Sequence, residues 1–386
     1  MAAHPVAVVG CGAFARGCLL PNIVANPRLK LALTCDMDAA AADQCRQQFG
    51  AARSCADWPE VVDDPNVELI VLATHTNLRS QLILPALKAG KPVYVEKPLA
   101  NTQEEMLEIV RAVRATGVPV CVGHNKRSSP AILDLRRLIA KARSSPGGWQ
   151  PSVDRTRGQR KPLPEENQMQ ILMRVNDDCR SWVDWIFWDP EGILFAEMVH
   201  FVDLALWLNP SPPVRVFAEG SARGNFTLVI RFQDGSLTTM TQTLAGHFDA
   251  PKELYEVALN HVTLAVDHYV ELRQRGLVDE PFRRTYAFKH QGNEREMGGI
   301  EAFHRAVSDG FEQARRTGGQ PPFIMPDKGH AAHLDRFVDC IEGKGENPCD
   351  VTAAVVVTRV TLKLLQSIRL GIPLPVGPED WHVPAS

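Results

Sequence analysis

A short apolar run, Val6–Val9, stops at Gly10-Cys11-Gly12-Ala13-Phe14-Ala15, and a second run, Leu31–Cys35, stops at Asp36. That pairing constrains the chain more than any other feature. The first glycine of such a loop permits a tight turn, the second lets another molecule approach the backbone, and a small third residue lets the following helix pack on the strand. The N–H groups that open the helix then suit a pyrophosphate. An acidic group at the end of the second strand accepts from an adenosine ribose 2′-hydroxyl and repels a 2′-phosphate. Met37 and Asp38 follow, with no arginine for such a phosphate, so the pattern favours NAD over NADP. The plain alternative is an ordinary Gly-rich turn and an Asp that caps the next helix. Gly10, Gly12, Ala13, Phe14 and Asp36 are thus the candidate cofactor contacts.

Residues 1–123 alternate strand and helix signals. Val67–Ala73, Val93–Val95 and Val118–Val122 are further apolar runs, suited to strands of a parallel sheet buried on both faces. Leu78–Ala89 has helical spacing and ends at Gly90; Thr102 opens a capping box with Glu105, and that helix closes at Gly117. The alternation predicts βαβ units and a doubly wound sheet of the Rossmann kind over residues 1–125.

The pattern changes after His124. Residues 144–168 are polar and rich in Pro, Gly and Arg, which reads as an exposed loop. A strand is predicted at Met169–Val175 and a helix at Ala196–Leu208. β segments follow at Arg215–Ala218, Phe226–Phe232 and Ser236–Thr243, the last two joined by the hairpin dipeptide Asp234-Gly235. Glu253–Arg273 and Thr285–His290 extend the sheet, with a partly helical form of the former as the alternative. Helices are predicted at Gly329–Ile341 and from an Asp350 cap to Leu370, before Gly371. Residues 126–386 therefore read as an α+β domain with a large open, mostly antiparallel sheet; the helix over about 350–370 is expected to pack back toward the first domain.

Composition excludes some classes. A net charge of −3 provides no positive field for nucleic acid or anionic lipid. The nine cysteines form no CxxC pair and no zinc spacing, as expected of a reduced, cytoplasmic protein. The first residues lack a signal-peptide pattern, and no stretch reaches about 18 uninterrupted apolar residues.

Tyr94-Val95-Glu96-Lys97-Pro98-Leu99-Ala100 resembles the EKP signature of the Gfo/Idh/MocA oxidoreductase family. Three other segments agree: Leu84-Pro85-Ala86-Leu87-Lys88-Ala89-Gly90-Lys91 ahead of it, Val122-Gly123-His124-Asn125-Lys126-Arg127 after it, and Glu197-Met198-Val199-His200-Phe201-Val202-Asp203, which resembles the family's active-site helix. The resemblance covers most of residues 5–375 and is weakest over 144–168 and 276–325. It implies NAD or NADP at the strand ends, substrate between nicotinamide and open sheet, and inositols, sugars or glycosides as substrates. Homodimers or homotetramers are implied as well. Thr74, Asn77, Glu96, Lys97 and Asn125 join the expected cofactor contacts, and His124 and Asp203 the expected substrate contacts.

Lys97 stands just past a parallel strand, at the edge where open α/β sheets bind ligands, and a following proline holds it extended. Its ammonium is a candidate proton partner. His200 is the candidate general base, since imidazole titrates near ~6.5. Glu197 and Asp203 lie three residues to either side, within reach on a helix, and one of the two can set its tautomer; Glu197 is the further catalytic candidate. A satisfied core histidine is the bland reading. The chain departs from the family's commoner pattern at Ala196, where an Asp is usual, and at Ser80, where a His often stands. Glu197, His200 and Asp203 as metal ligands is a weaker reading, so no metal is expected; His330 and His333 read as helix-surface residues. Arg174, Asp178 and Trp185, with Asn176 and Trp182, are candidates for shaping a sugar site.

Three functions follow. The first is NAD-dependent dehydrogenation of a ring hydroxyl in a sugar, polyol or glycoside. The second is redox-neutral glycoside cleavage, with a hydroxyl transiently oxidised. The third is a non-catalytic NAD-binding sensor.

Overall fold

The computed structural model describes residues 3–144, 164–181, 192–247, 250–290, 294–296, 298–320 and 324–383. The chain divides into two compact units. The first holds the chain up to Ser128, together with Gly329–Arg359 and the stretch from His382. The chain thus crosses three residues after the boundary expected at 125 and later returns.

The first unit is built on strands β1 (His4–Val9), β2 (Leu29–Cys35), β3 (Arg53–Cys55), β4 (Leu69–Leu72), β5 (Val93–Val95) and β6 (Val120–Val122). Their order is β3-β2-β1-β4-β5-β6, and every pairing is parallel. This is the doubly wound order, with its reversal between β1 and β4. Successive residues of a strand face opposite sides. Ala7, Val9, Ile70, Leu72, Val93 and Val95 accordingly pack under helices Arg79–Lys88 and Gln103–Thr116 and the start of Val351–Leu370. Val6, Val8, Leu69, Val71 and Tyr94 pack under Leu20–Ala25, Ala39–Phe49 and His330–Ile341.

The punctuation in the sequence becomes geometry here. Thr102 Oγ1 accepts from Glu105 N at 3.2 Å, Glu105 Oε2 accepts from Thr102 N at 3.1 Å, and Gly117 closes the helix at φ 70°. Asp38 caps Ala39–Phe49 by accepting from Ala40 N and Ala41 N, which leaves Asp36 free of that task. Asp350 Oδ1 accepts from Ala353 N at 2.8 Å and opens the last long helix, as expected. By length and composition that helix, Val351–Leu370, could cross a membrane, but Val351, Ala354 and Val355 lie in the core of the first unit.

The second unit carries β7 (Gln170–Asn176), β8 (Pro213–Gly220), β9 (Phe226–Phe232), β10 (Leu237–Thr243), β11 (Glu253–Leu259), β12 (Val262–Asp267), β13 (Glu271–Arg275) and β14 (Arg283–Thr285). Strands β15 (Phe288–His290), β16 (Glu294–Glu296), β17 (Met325–Pro326) and β18 (Leu374–Pro375) follow. Nine of them form one sheet, ordered β14-β13-β12-β11-β7-β10-β9-β8-β18 and antiparallel except at β7–β10. Gly235 turns the β9–β10 hairpin at φ 87°.

One alternative closes and two expectations change. Glu253–Arg273 takes the sheet form and not the partly helical alternative: it holds β11, β12 and the start of β13, because Tyr255, Val257, Leu259, Val262, Leu264 and Val266 alternate inward. Phe288–His290 leaves the large sheet and pairs with β16 and β17. Ala196–Leu208 is not one helix but two, Gly192–Ala196 and Val199–Leu208, with Glu197 and Met198 in the turn between. Helices Pro130–Ser144 and Gly299–Thr317 were not anticipated. Most of the expected 144–168 loop lies outside the described residues; Pro164–Asn167 forms a single 3₁₀ turn.

Candidate active site

Gly10 has φ 93°, and a Cβ on it would stand 2.6 Å from the Ala73 carbonyl oxygen. Only glycine lets the loop after β1 run against the end of β4. Gly12 is the opposite case: a Cβ there meets nothing within 4 Å. Gly12, Ala13 and Phe14 are exposed, Ala15 is buried against the sheet, and residues Ala15–Leu19 wind as a π-helical turn. The Phe14 ring leans on His330 at 6.1 Å. The result is bare backbone at a helix start, with open space above it. Cys11 N donates to Asp36 Oδ2 at 2.7 Å and Asp38 N to Asp36 Oδ1 at 3.0 Å, so the carboxylate at the tip of β2 is fixed beside the loop. These residues fit a dinucleotide: room for the pyrophosphate and a fixed acceptor for the ribose.

The same edge carries the loops after β4 and β5. Thr74 is half-buried, while Asn77 is exposed in a 3₁₀ turn, Thr76–Leu78. After β5, Glu96 is buried, Lys97 is half-buried, and the Lys97–Pro98 peptide is cis. Gly123 lies beneath Glu96, where a Cβ would come within 2.8 Å of Oε1. His124 and Asn125 are buried, the latter in a 3₁₀ turn, Asn125–Ser128, after β6. All the expected cofactor contacts, and His124, therefore lie in loops at the carboxyl ends of β1, β2, β4, β5 and β6.

Two residues here escaped the sequence reading. Arg79 opens helix Arg79–Lys88 and is 5% exposed. Its guanidinium donates to the Thr74 carbonyl from Nε at 3.2 Å and Nη2 at 3.0 Å, and from Nη1 to the carbonyls of Glu96 and Pro98. Burial pulls its pKa down to about 10, against the raising influence of the Glu96 carboxylate, so it stays charged at neutral pH. Ser80, where a His often stands in the family, donates to the capping carboxylate of Glu105 at 3.0 Å. The other missed residue is His333. It is not on a helix surface but wholly buried, with Nε2 at 3.0 Å from the Val122 carbonyl and Nδ1 at 2.9 Å from Ser128 Oγ. Burial drives its pKa down to about 3, keeping the ring neutral with Nε2–H donating to Val122.

The second unit holds the other candidates. His200 is 6% exposed and Asp203 fully buried, both on Val199–Leu208. Glu197 is half-buried in the turn before that helix, and His200 N donates to its carbonyl at 3.2 Å. Lys252, just ahead of β11, pairs with Asp177 Oδ2 at 2.7 Å. Burial opposes the Lys252 charge, but the carboxylates of Glu197, Asp177 and Glu253 outweigh it and raise its pKa. Glu253, wholly buried, accepts from Tyr255 Oη at 2.6 Å, from Tyr269 Oη and from Lys328 Nζ at 2.8 Å. Phe201 stacks on Tyr255 at 6.1 Å. None of Asp177, Lys252 and Glu253 has a local sequence signal, since each is set by cross-strand neighbours. Asp178 is engaged by Arg180, whose Nε lies at 2.8 Å, and this bond holds its carboxyl down at about 2. Arg174 points to the exposed face of β7, opposite Ile171, Met173 and Val175. Trp182 and Trp185 lie outside the described residues.

Residues 5–124 match the profile of an oxidoreductase family with an NAD-binding Rossmann fold. Residues 5–124 are thus a Gfo/Idh/MocA-type NAD-binding Rossmann domain. Among relatives, inositol 2-dehydrogenase 2 of Saccharopolyspora erythraea is 26% identical over 298 residues, spanning 74% of this chain and 80% of that protein. D-xylose dehydrogenase of Paenarthrobacter nicotinovorans is 41% identical over 93 residues, 24% of each. The fold is shared with an Agrobacterium radiobacter oxidoreductase crystallised with NAD⁺, L-tartaric acid and magnesium: TM-score 0.73, 15% identity, covering 97% of this chain and 99% of that one. The doubly wound first unit and the large, mostly antiparallel sheet of the second are therefore a fold shared with that structure.

Proposed function

We propose that this chain is a Gfo/Idh/MocA-type, NAD-dependent oxidoreductase that moves a hydride between nicotinamide C4 and a ring-hydroxyl carbon of a sugar, polyol or glycoside. The observation that carries the reading is the bare Gly12 backbone beside an Asp36 carboxylate already fixed by Cys11 N–H. Relatives named as inositol and xylose dehydrogenases support a polyol-like substrate. Bound at this edge, NAD supplies the hydride acceptor.

The chain's own groups supply the rest. Gly12, Ala13 and Phe14 offer N–H donors to phosphate at the helix start. Asp36 orients a ribose diol and disfavours a 2′-phosphate. Lys97 offers a proton-bearing ammonium that stabilises oxygen charge on a substrate hydroxyl. His200 takes or returns the hydroxyl proton, with Glu197 as its acidic neighbour. Asp203, His124 and Trp185 are assigned to substrate contact; Arg174, on the face of β7 away from Met173 and Tyr255, is left out of the set, and for Asp178 the contact has to compete with Arg180.

A panel of inositols, sugars and glycosides, offered with NAD and with NADP, tests the reading. Both NADH absorbance and released aglycone are followed. NADH formed with a polyol or sugar is the expected result. Aglycone without net NADH would replace it with redox-neutral cleavage, and cofactor binding without any turnover would replace it with a sensor.

A further inference from the structure

Arg79 is a charged side chain buried at the start of helix Arg79–Lys88. A buried charge is costly unless hydrogen bonds replace its water. Here four of the five guanidinium N–H groups have acceptors, and all are main-chain carbonyls. Those carbonyls are not a random set. Thr74 belongs to the loop after β4, while Glu96 and Pro98 belong to the loop after β5, its neighbour in the sheet. A single nitrogen, Nη1, holds the carbonyls of the residues on both sides of Lys97.

We propose that Arg79 is the positioning residue of Lys97: its planar guanidinium ties the backbone on either side of that lysine to the end of β4 and so fixes where the ammonium is presented. This rests on the reading that Lys97 acts at the substrate hydroxyl. A flexible loop lysine samples many rotamers and many backbone positions, and tying the flanking peptides removes the second freedom. The fork geometry is essential. A lysine ammonium is a point donor and cannot span the Thr74 carbonyl and the Glu96–Pro98 pair at once. The Glu96 carboxylate in turn favours the charged form of the arginine.

Arg79→Lys and Arg79→Met, each alone and combined with Lys97→Met, test this in the full chain. Hydrogen exchange of the 94–100 peptide reads the loop without any turnover, NADH fluorescence reads cofactor binding, and turnover uses the best substrate of the panel. The expected results are faster exchange at 94–100 with the β1 and β4 peptides unchanged, and a fall in kcat of about 100-fold, the scale of an ångström's misplacement. On the Lys97→Met background either Arg79 substitution should cost less than about threefold further, because residues acting as one unit are not additive. Exchange at 94–100 identical to wild type, or the same 100-fold loss with and without Lys97, overturns the positioning role. If Lys97→Met alone keeps full turnover, the assignment of Lys97 itself falls, a result distinct from additivity. Should Arg79→Met not fold, Arg79→Lys carries the same comparison, since it keeps the charge and most of the volume.

Discussion

The main-chain N–H of Cys11 donates to the Asp36 carboxylate at 2.7 Å, so the loop after β1 and the tip of β2 are joined before any ligand arrives. Oδ2 takes that bond and Oδ1 accepts from Asp38 N at 3.0 Å, so each carboxylate oxygen keeps acceptor capacity for a ligand hydroxyl. Asp36→Ser should therefore do two things: loosen the loop, and remove the charge that repels a 2′-phosphate. The ratio of kcat/KM with NAD to that with NADP should fall by at least about tenfold, equivalent to 1.4 kcal/mol. An unchanged ratio would remove Asp36 from cofactor choice.

Gly10 and Gly12 make a matched pair. Gly10→Ala brings a Cβ to 2.6 Å from a main-chain oxygen at a φ of 93°, so it should destabilise the fold by about 1–3 kcal/mol and also cost cofactor affinity. Gly12→Ala meets nothing in the free protein. Its melting temperature should match wild type while NADH affinity drops sharply. Equal loss of stability in both variants would mean that Gly12 is held by the fold and not kept bare for a ligand.

Burial keeps His333 neutral, its pKa down at about 3 against an ordinary value of 6.5. Below the ordinary value the unfolded chain binds a proton that the folded chain refuses. The stability contributed by His333 is complete above pH 6.5 and is lost as pH falls toward 3. Unfolding free energy measured by urea titration should decline more steeply with acid in wild type than in His333→Gln, whose amide stays neutral throughout. Parallel curves would contradict neutral burial.

Glu253 accepts from two tyrosines and an ammonium with no exposure to water. Glu253→Ala leaves those donors facing an apolar hole, and the expected loss is about 3–5 kcal/mol. Thermal melting checks it; a shift within error would show the cluster to be dispensable.

Legibility in the sequence followed locality. Val6–Val9 and Val93–Val95 were readable because strands buried on both faces are apolar throughout. Thr102, Glu105, Gly117 and Asp350 were readable because a cap lies within four residues of the groups it satisfies. The Gly10–Ala15 loop needed only its own spacing. Helix Pro130–Ser144 has a helical pattern in Ala131, Ile132, Leu135, Leu138, Ile139 and Ala142, but only Ser129 separates it from the 3₁₀ turn Asn125–Ser128, so no loop signal announces it. Gly299–Thr317 buries two glycines and only a few large side chains, so its apolar stripe is thin. Arg79, His333 and Glu253 were hidden for a different reason. Their partners lie 17 and 19 residues away for Arg79, 205 and 211 for His333, and 75 for the Glu253–Lys328 pair. A polar residue buried by such contacts has the same local pattern as one in water.

Lys97 and His200 are assigned to the proton that must leave or join the hydroxyl as its carbon exchanges hydride. If so, Lys97→Ala and His200→Ala should each lower kcat by about 10²–10⁴-fold, the range for a lost proton-transfer group. Neither bears on the pyrophosphate grip of the Gly10–Phe14 loop, so NADH fluorescence titration should give affinities close to wild type. Glu197→Gln should cost less than His200→Ala, because the carboxylate acts on the histidine and not on the substrate. Lys252 offers an internal comparison: its charge sits among the carboxylates of Glu197, Asp177 and Glu253, so Lys252→Met leaves Glu197 with less cationic compensation. That variant should move the pH profile of kcat/KM more than it moves NADH affinity. Full turnover in both Lys97→Ala and His200→Ala would leave the chain a dinucleotide-binding protein without the proposed chemistry.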